Sequence, residues 1–116
     1  MSPRELLHAA ERLLTDPPPG LEGLWARSAA LLLRQALERA VAERLDARAP
    51  GARAANFRVQ FLCLAQVGRD PEQSARLWCT WTSLSHACHH HGYELPPSGA
   101  ELRSWLDVVR EVAVDS

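Results

Sequence analysis

Trp25-Ala26-Arg27-Ser28-Ala29-Ala30-Leu31-Leu32-Leu33-Arg34-Gln35-Ala36-Leu37-Glu38-Arg39-Ala40-Val41-Ala42-Glu43-Arg44-Leu45 contains no proline, and its apolar residues recur with a period near 3.6. Trp25, Ala29, Leu32, Leu33, Ala36, Leu37, Ala40, Val41 and Leu45 share one stripe. The pattern predicts a long central helix from Leu21 to about Arg48, whose stripe must be buried against other elements. Arg34 with Glu38 and Arg39 with Glu43 are i,i+4 pairs that mark its solvated faces.

Upstream, Ser2-Pro3-Arg4-Glu5 has the form of a capping box with proline at the first helical position, so a first helix starts there. Leu6, Leu7, Ala10, Leu13 and Leu14 form its apolar stripe, and Asp16-Pro17-Pro18-Pro19-Gly20 ends it by about Thr15. Downstream, Ala49-Pro50-Gly51 breaks the central helix. Apolar density resumes from Asn56 to Val67-Gly68 with few β-branched residues, which favours a third helix over a strand. Asp70-Pro71-Glu72-Gln73 opens a fourth, expected to run to His90 or His91, with Gly92 as its left-handed terminator and Pro96-Pro97 preventing resumption. Ser98 and Glu101 form another capping box, opening a last helix with Leu102, Trp105, Leu106, Val109, Val112 and Ala113 inward. No alternating strand pattern or repeat competes, so the expected fold is an all-α, single-domain bundle of about five helices over residues 1–116.

Composition agrees with one packed domain. The 116 residues are 47% hydrophobic and 23% charged, enough for a core without disulfides or an obligatory metal, and against intrinsic disorder. No apolar run approaches the roughly 20 residues of a membrane span, and the N-terminus is too short and polar for a signal peptide. The expectation is a cytoplasmic protein with no membrane partner, whose three Cys are reduced thiols. Thirteen Arg without one Lys or Ile, beside abundant Ala and Leu, reads as the codon usage of a G+C-rich genome before it reads as selection for phosphate contacts.

The unusual chemistry lies between Trp78 and Glu94, which holds four of the five His. On a helix, Cys79, Ser83, His86 and His90 fall on one stripe and Trp81, Leu84, Cys88 and His91 on another. His86 and His90 form an H-x-x-x-H pair, able with Cys79 or a ligand from elsewhere to hold a metal. Ala87 occupies the place of the general-base Glu of H-E-x-x-H, so no zincin chemistry follows and no cofactor is expected. The favoured reading puts Trp81, Leu84 and Cys88 in the core and His89, His90 and His91 at the helix C-terminus, where imidazoles donate to the last free carbonyls. Cys63, Cys79 and Cys88 are read as small core hydrophobes.

Between Arg27 and Arg58 seven Arg face three acids, a local +4 against −5 for the remainder. Such an excess suits RNA phosphates or an acidic partner, but equally a solvated helix face.

The long helix carrying Leu33-Arg34-Gln35-Ala36-Leu37-Glu38, followed by a late helix ending Leu84-Ser85-His86-Ala87-Cys88-His89-His90-His91-Gly92-Tyr93-Glu94-Leu95, resembles HEPN-type helical domains over roughly residues 24–110. It is also similar to small proteins of high-G+C bacteria with a comparable Cys-His-His-His and Tyr-Glu-Leu segment. The resemblance implies an α-helical bundle that dimerises and, in active members, a metal-independent ribonuclease with Arg and His in the pattern R-x(4–6)-H. Here the nearest Arg upstream of His86 is Arg76, ten residues away, about 15 Å along a helix and about 80° around it. His8 follows Arg4 by only four residues and belongs to the first helix. The departure favours a non-catalytic descendant.

Two function classes follow. One is an interaction module, a homodimer or a binder of another protein, with Trp81, His89, His91, Tyr93 and Arg34 as contact residues and the four Trp as a source of interface anchors. The other is a ribonuclease or RNA-binding module with His86, His90 and Arg76 as catalytic candidates, or a His of the 86–91 cluster with an Arg from the 27–58 segment.

Overall fold

A computed structural model describes residues 1–20, 24–51, 54–67, 70–89 and 95–114. The described residues form five α-helices: α1 (Pro3–Thr15), α2 (Leu24–Asp46), α3 (Phe57–Val67), α4 (Pro71–Cys88) and α5 (Gly99–Ala113). No strand occurs among the described residues.

Helix α2 is the axle. Its stripe Ala26, Ala29, Ala30, Leu33, Ala36, Leu37, Ala40, Val41 and Leu45 is buried, and it packs against each of the other four helices. The five alanines let neighbouring backbones approach closely, while the leucines and Val41 fill the space between. Leu6, Leu7, Ala10 and Leu14 of α1, Phe61 and Leu64 of α3, Leu77, Leu84 and Ala87 of α4, and Leu102, Leu106, Val109, Val112 and Ala113 of α5 complete the core. Each fully buried aliphatic side chain contributes about 1.5–3 kcal/mol through loss of water contact. The predicted inward residues Trp25, Leu32, Leu13 and Trp105 are only partly buried at its margin.

The helix starts follow the local chemistry. Ser2 accepts a hydrogen bond from the Glu5 amide, and Asp70 from the Gln73 amide, each with proline opening the helix. Ser98 and Glu101 make both halves of a capping box, at 3.1 Å each. The Gln73 side chain does not complete a box at Asp70. It accepts from Arg44 at 3.2 Å and reaches Glu111 at 3.5 Å, joining α4 to α2 and α5. Gly51, at φ 92°, takes the left-handed turn after α2 that a side chain would strain.

The helix ends follow a rule that the sequence did not disclose. Arg4 donates to the Val114 carbonyl at 2.9 Å, the residue that closes α5. Arg103 donates to the Leu14 carbonyl at 3.2 Å, in the last turn of α1. Arg27 donates to the carbonyls of Ala87 at 3.2 Å and His89 at 2.8 Å, at the end of α4. Three helices thus have terminal acceptors met by a guanidinium from a different helix, which satisfies orphan carbonyls and opposes the negative end of each helix dipole. A forked, permanently charged donor suits this task better than an ammonium.

Helix α4 is shorter than predicted. It ends at Cys88, and His89 is already extended (φ −81°, ψ 131°), with its amide donating to the His86 carbonyl. The expected continuation to His90 or His91 is therefore corrected at its start. Residues 90–94, including Gly92 and its expected role as terminator, lie outside the described residues.

Candidate functional site

Two concave surfaces flank α4. The first is a cleft of about 660 Å³ where α2, α4 and α5 meet the 95–98 segment. Arg27 enters from α2, Ser83 and His86 from α4, and Glu101 and Trp105 from α5, with Pro96 and Pro97 forming a wall. His86 is exposed at its mouth, whereas Arg27 and Trp105 are half-buried. The arrangement sets one imidazole, one guanidinium and one carboxylate around an aromatic floor. Part of the guanidinium is engaged by the α4 carbonyls, so the positive charge faces the cleft from a fixed position.

The second is a groove of about 550 Å³ between α3 and α4, lined by Arg58, Phe61, Leu62, Ala65, Pro71 and Trp78 among others. Phe61 and Trp78 of this lining belong, with Phe57 and Trp81, to a connected aromatic cluster. Phe57 meets Phe61 edge-on at 4.6 Å, Phe61 meets Trp78 edge-on at 5.4 Å, and Trp78 stacks on Trp81 at 5.4 Å. The spacings 57/61 and 78/81 put each pair on one helix face, so the cluster fastens α3 to α4. Among the described residues α3 packs only against α2 and α4, leaving its outer side to solvent. Val59 is 40% exposed there and Leu62 64%.

The sequence candidates are distributed over both surfaces and elsewhere. His86 lies in the α2/α4/α5 cleft. Arg76 does not join it; its guanidinium bonds Glu111 of α5 at 2.8 Å, and that carboxylate holds it more firmly protonated. Arg34 pairs with Glu38 at 3.0 Å, as its spacing suggested. Trp81 belongs to the aromatic cluster, and its buried Nε1 meets no hydrogen-bond acceptor among the described residues. His89 offers its carbonyl to Arg27. His90, His91 and Tyr93 lie outside the described residues.

The cysteines differ from one another. Cys63 and Cys88 pack against the core margin, but Cys79 is exposed, so its expected place as a core hydrophobe is corrected. At Cys88 burial pushes the thiol pKa up, and the hydrogen-bonded Arg34 guanidinium only partly offsets this. That is the opposite of an activated nucleophile. No group of three or more His, Cys, Asp or Glu among the described residues is placed to hold a metal ion, so Cys79 and His86 gain no third ligand there.

Sequence reasoning passed over Arg27, Trp105, Val59 and Leu62 as individual site residues. The signal for the last two was present: Arg58, Val59, Leu62, Ala65 and Gln66 follow helical spacing and form a second, outward stripe on α3. The four Trp are absorbed by the core margin, the aromatic cluster and the cleft, so the outward apolar anchors are aliphatic. No described helix is long and apolar enough to cross a membrane. Searches of protein-family models, curated proteins and solved structures find no match to this chain.

Proposed function

We propose that this chain is a non-catalytic interaction module of HEPN-like layout that pairs with a second copy of itself through the outer side of α3. The observation that carries the reading is the exposure of Val59 and Leu62 beside an apolar groove, on a helix whose inner side is already fastened by the aromatic cluster. Covering such a surface releases water at roughly 25 cal/mol per Å² of apolar area. The absence of charge from the stripe's centre is typical of an interface core. The arginines of the 27–58 segment weigh against a nucleic-acid stripe, because Arg27, Arg34 and Arg44 are turned to partners within the fold. Light scattering over a concentration series tests the reading. The native chain is expected to approach twice its 12.9 kDa mass, and Leu62→Glu to stay at the single-chain mass. A native chain that remains monomeric at every concentration refutes it.

One observation favours a second reading, metal-independent RNA cleavage or binding: Arg27 and His86 line the same cleft. In that chemistry His86 moves a proton at the 2′-hydroxyl or the leaving oxygen, while Arg27 stabilises the charge on the phosphorus oxygens. RNA incubated without divalent metal decides it. Cleavage that is lost in His86→Ala supports the second reading, and intact RNA removes the cleavage part.

A further inference from the structure

Arg27 differs from the arginines that close ion pairs inside the fold. Arg34, Arg76 and Arg110 each meet a carboxylate, whereas Arg27, half-buried in the wall of the α2/α4/α5 cleft, takes part in no ion pair among the described residues. Both of its bonds, to the carbonyls of Ala87 and His89, come from Nη1. Nε and Nη2 meet no acceptor among the described residues. These two nitrogens form the side-on fork of a guanidinium, whose parallel N–H groups match the two oxygens of a carboxylate. The protein thus pins the group by its third nitrogen and leaves the fork unused. The C-terminal end of the α4 dipole offsets only part of the charge, so a half-buried cation remains without a full counter-charge.

The rest of the cleft is suited to a ring. Trp105, Pro96 and Pro97 bring apolar ring surfaces to it, and Leu95 stands in the same lining at 91% exposure, with nearly all of its surface still to be covered. Glu101 is the acid of the lining, its carboxylate accepting from the Ser98 amide at 3.1 Å. One guanidinium beside one carboxylate favours an occupant with a single negative charge, because a second would face Glu101. The volume, about 660 Å³, falls in the range of small-molecule sites, roughly 300–1,000 Å³.

Going beyond the α3 docking reading and independent of it, we infer that the α2/α4/α5 cleft binds a small aromatic monocarboxylate, its carboxylate on the Nε/Nη2 fork of Arg27 and its ring among Trp105, Pro96 and Leu95.

Nitrogen–proton correlation NMR on the full chain tests this, since each of the four Trp gives one indole N–H signal. The probes are phenylacetate, its neutral analogue phenylacetamide, acetate without the ring, and phenyl phosphate. Phenylacetate is expected to shift the Trp105 signal saturably and to leave those of Trp78 and Trp81 in place. Phenylacetamide and acetate are expected to bind about tenfold more weakly or worse, and phenyl phosphate more weakly than phenylacetate. Arg27→Met is expected to bring acid and amide to similar affinity. Trp105→Leu leaves Arg27 and its carbonyl bonds in place; here the ligand methylene and ring signals are followed, and phenylacetate is expected to bind severalfold more weakly while keeping its advantage over the amide.

Equal binding of acid and amide to the native chain overturns the carboxylate assignment, whatever the variants do. Shifts at Trp78 in place of Trp105 move the site to the α3/α4 groove and overturn the choice of cleft. Tighter binding of phenyl phosphate than of phenylacetate gives the cleft to phosphate chemistry instead. No saturable shift with phenylacetate in the millimolar range removes the inference and leaves the α3 docking reading, which light scattering decides, untouched.

Discussion

Replacing Arg27 by methionine keeps the aliphatic stem against the core margin but removes the two bonds to the carbonyls of Ala87 and His89. A hydrogen bond from a charged donor contributes about 1.5–3 kcal/mol when protected from solvent. Arg27 is half-buried and one of its contacts is long at 3.2 Å, so screening brings the pair together to about 1.5–3 kcal/mol. With a urea slope of about 1.5 kcal/mol per molar, the unfolding midpoint is expected to fall by roughly 1–2 M. Arg27→Lys should recover only part of this: Nη1 alone makes both bonds, a task an ammonium's three donors also allow, but the lysine stem is shorter and its charge more strongly hydrated. Equilibrium urea unfolding followed by far-ultraviolet circular dichroism measures the shift, and amide exchange around residues 84–89 locates it. An Arg27→Met midpoint within error of the native value would falsify the assignment of the α4 terminus to cross-helix capping.

Other expected outcomes are simpler. Leu33→Ala, at a position with no solvent exposure on the central helix, should cost about 2.7–5 kcal/mol by thermal or urea unfolding. Ser98→Ala breaks one half of the capping box at α5 and should cost about 1 kcal/mol, with Ser98→Asp recovering most of it. Thiol alkylation at neutral pH should modify exposed Cys79 well before Cys88, where burial keeps the proton on sulfur. Folded Cys88 holds its proton more tightly than the unfolded thiol. Its contribution to stability is therefore complete below the ordinary thiol range and declines as pH rises through that range; an unfolding series showing the reverse slope for native relative to Cys88→Ala removes the assignment.

The parts of the fold that were legible depend on neighbours in sequence. Ser2-Pro3, Asp70-Pro71 and Ser98 mark three helix starts because a cap bonds an amide three residues away, within the window that a sequence displays. The buried stripe of α2 was legible for the same reason: a 3.6-residue period is a local property. The end of α4 was not, because its carbonyls are met by Arg27, which lies 60 and 62 positions away from the acceptors. Three adjacent His near a helix end drew attention as caps, and a donor that the local sequence did not point to, Arg27, sits inside the central helix among other arginines. Arg4 and Arg103 repeat the pattern on α5 and α1. The arginine content that read as codon usage thus has a structural use at these positions.

The candidate site was legible in pieces. His86 was singled out by its surroundings, but nothing local connects it to Arg27 or Trp105, which arrive from other helices. Arg76 stood nearest in sequence and belongs instead to an ion pair with Glu111. For α3 the difficulty was the reverse. Phe57 to Ala65 is apolar on more than one side, so density identified a helix without showing which side would be covered. Burial of Phe61 and Leu64 takes one side, and Val59 and Leu62 are left on the other.

A methyl-resolved NMR dilution series tests the docking face most directly. If copies meet through α3, the Val59 and Leu62 methyl signals shift with concentration, while those of Leu31 on α2 and Leu102 in the core stay fixed. Signals of Val59 and Leu62 that do not move with concentration, or movement confined to Leu31, would contradict it.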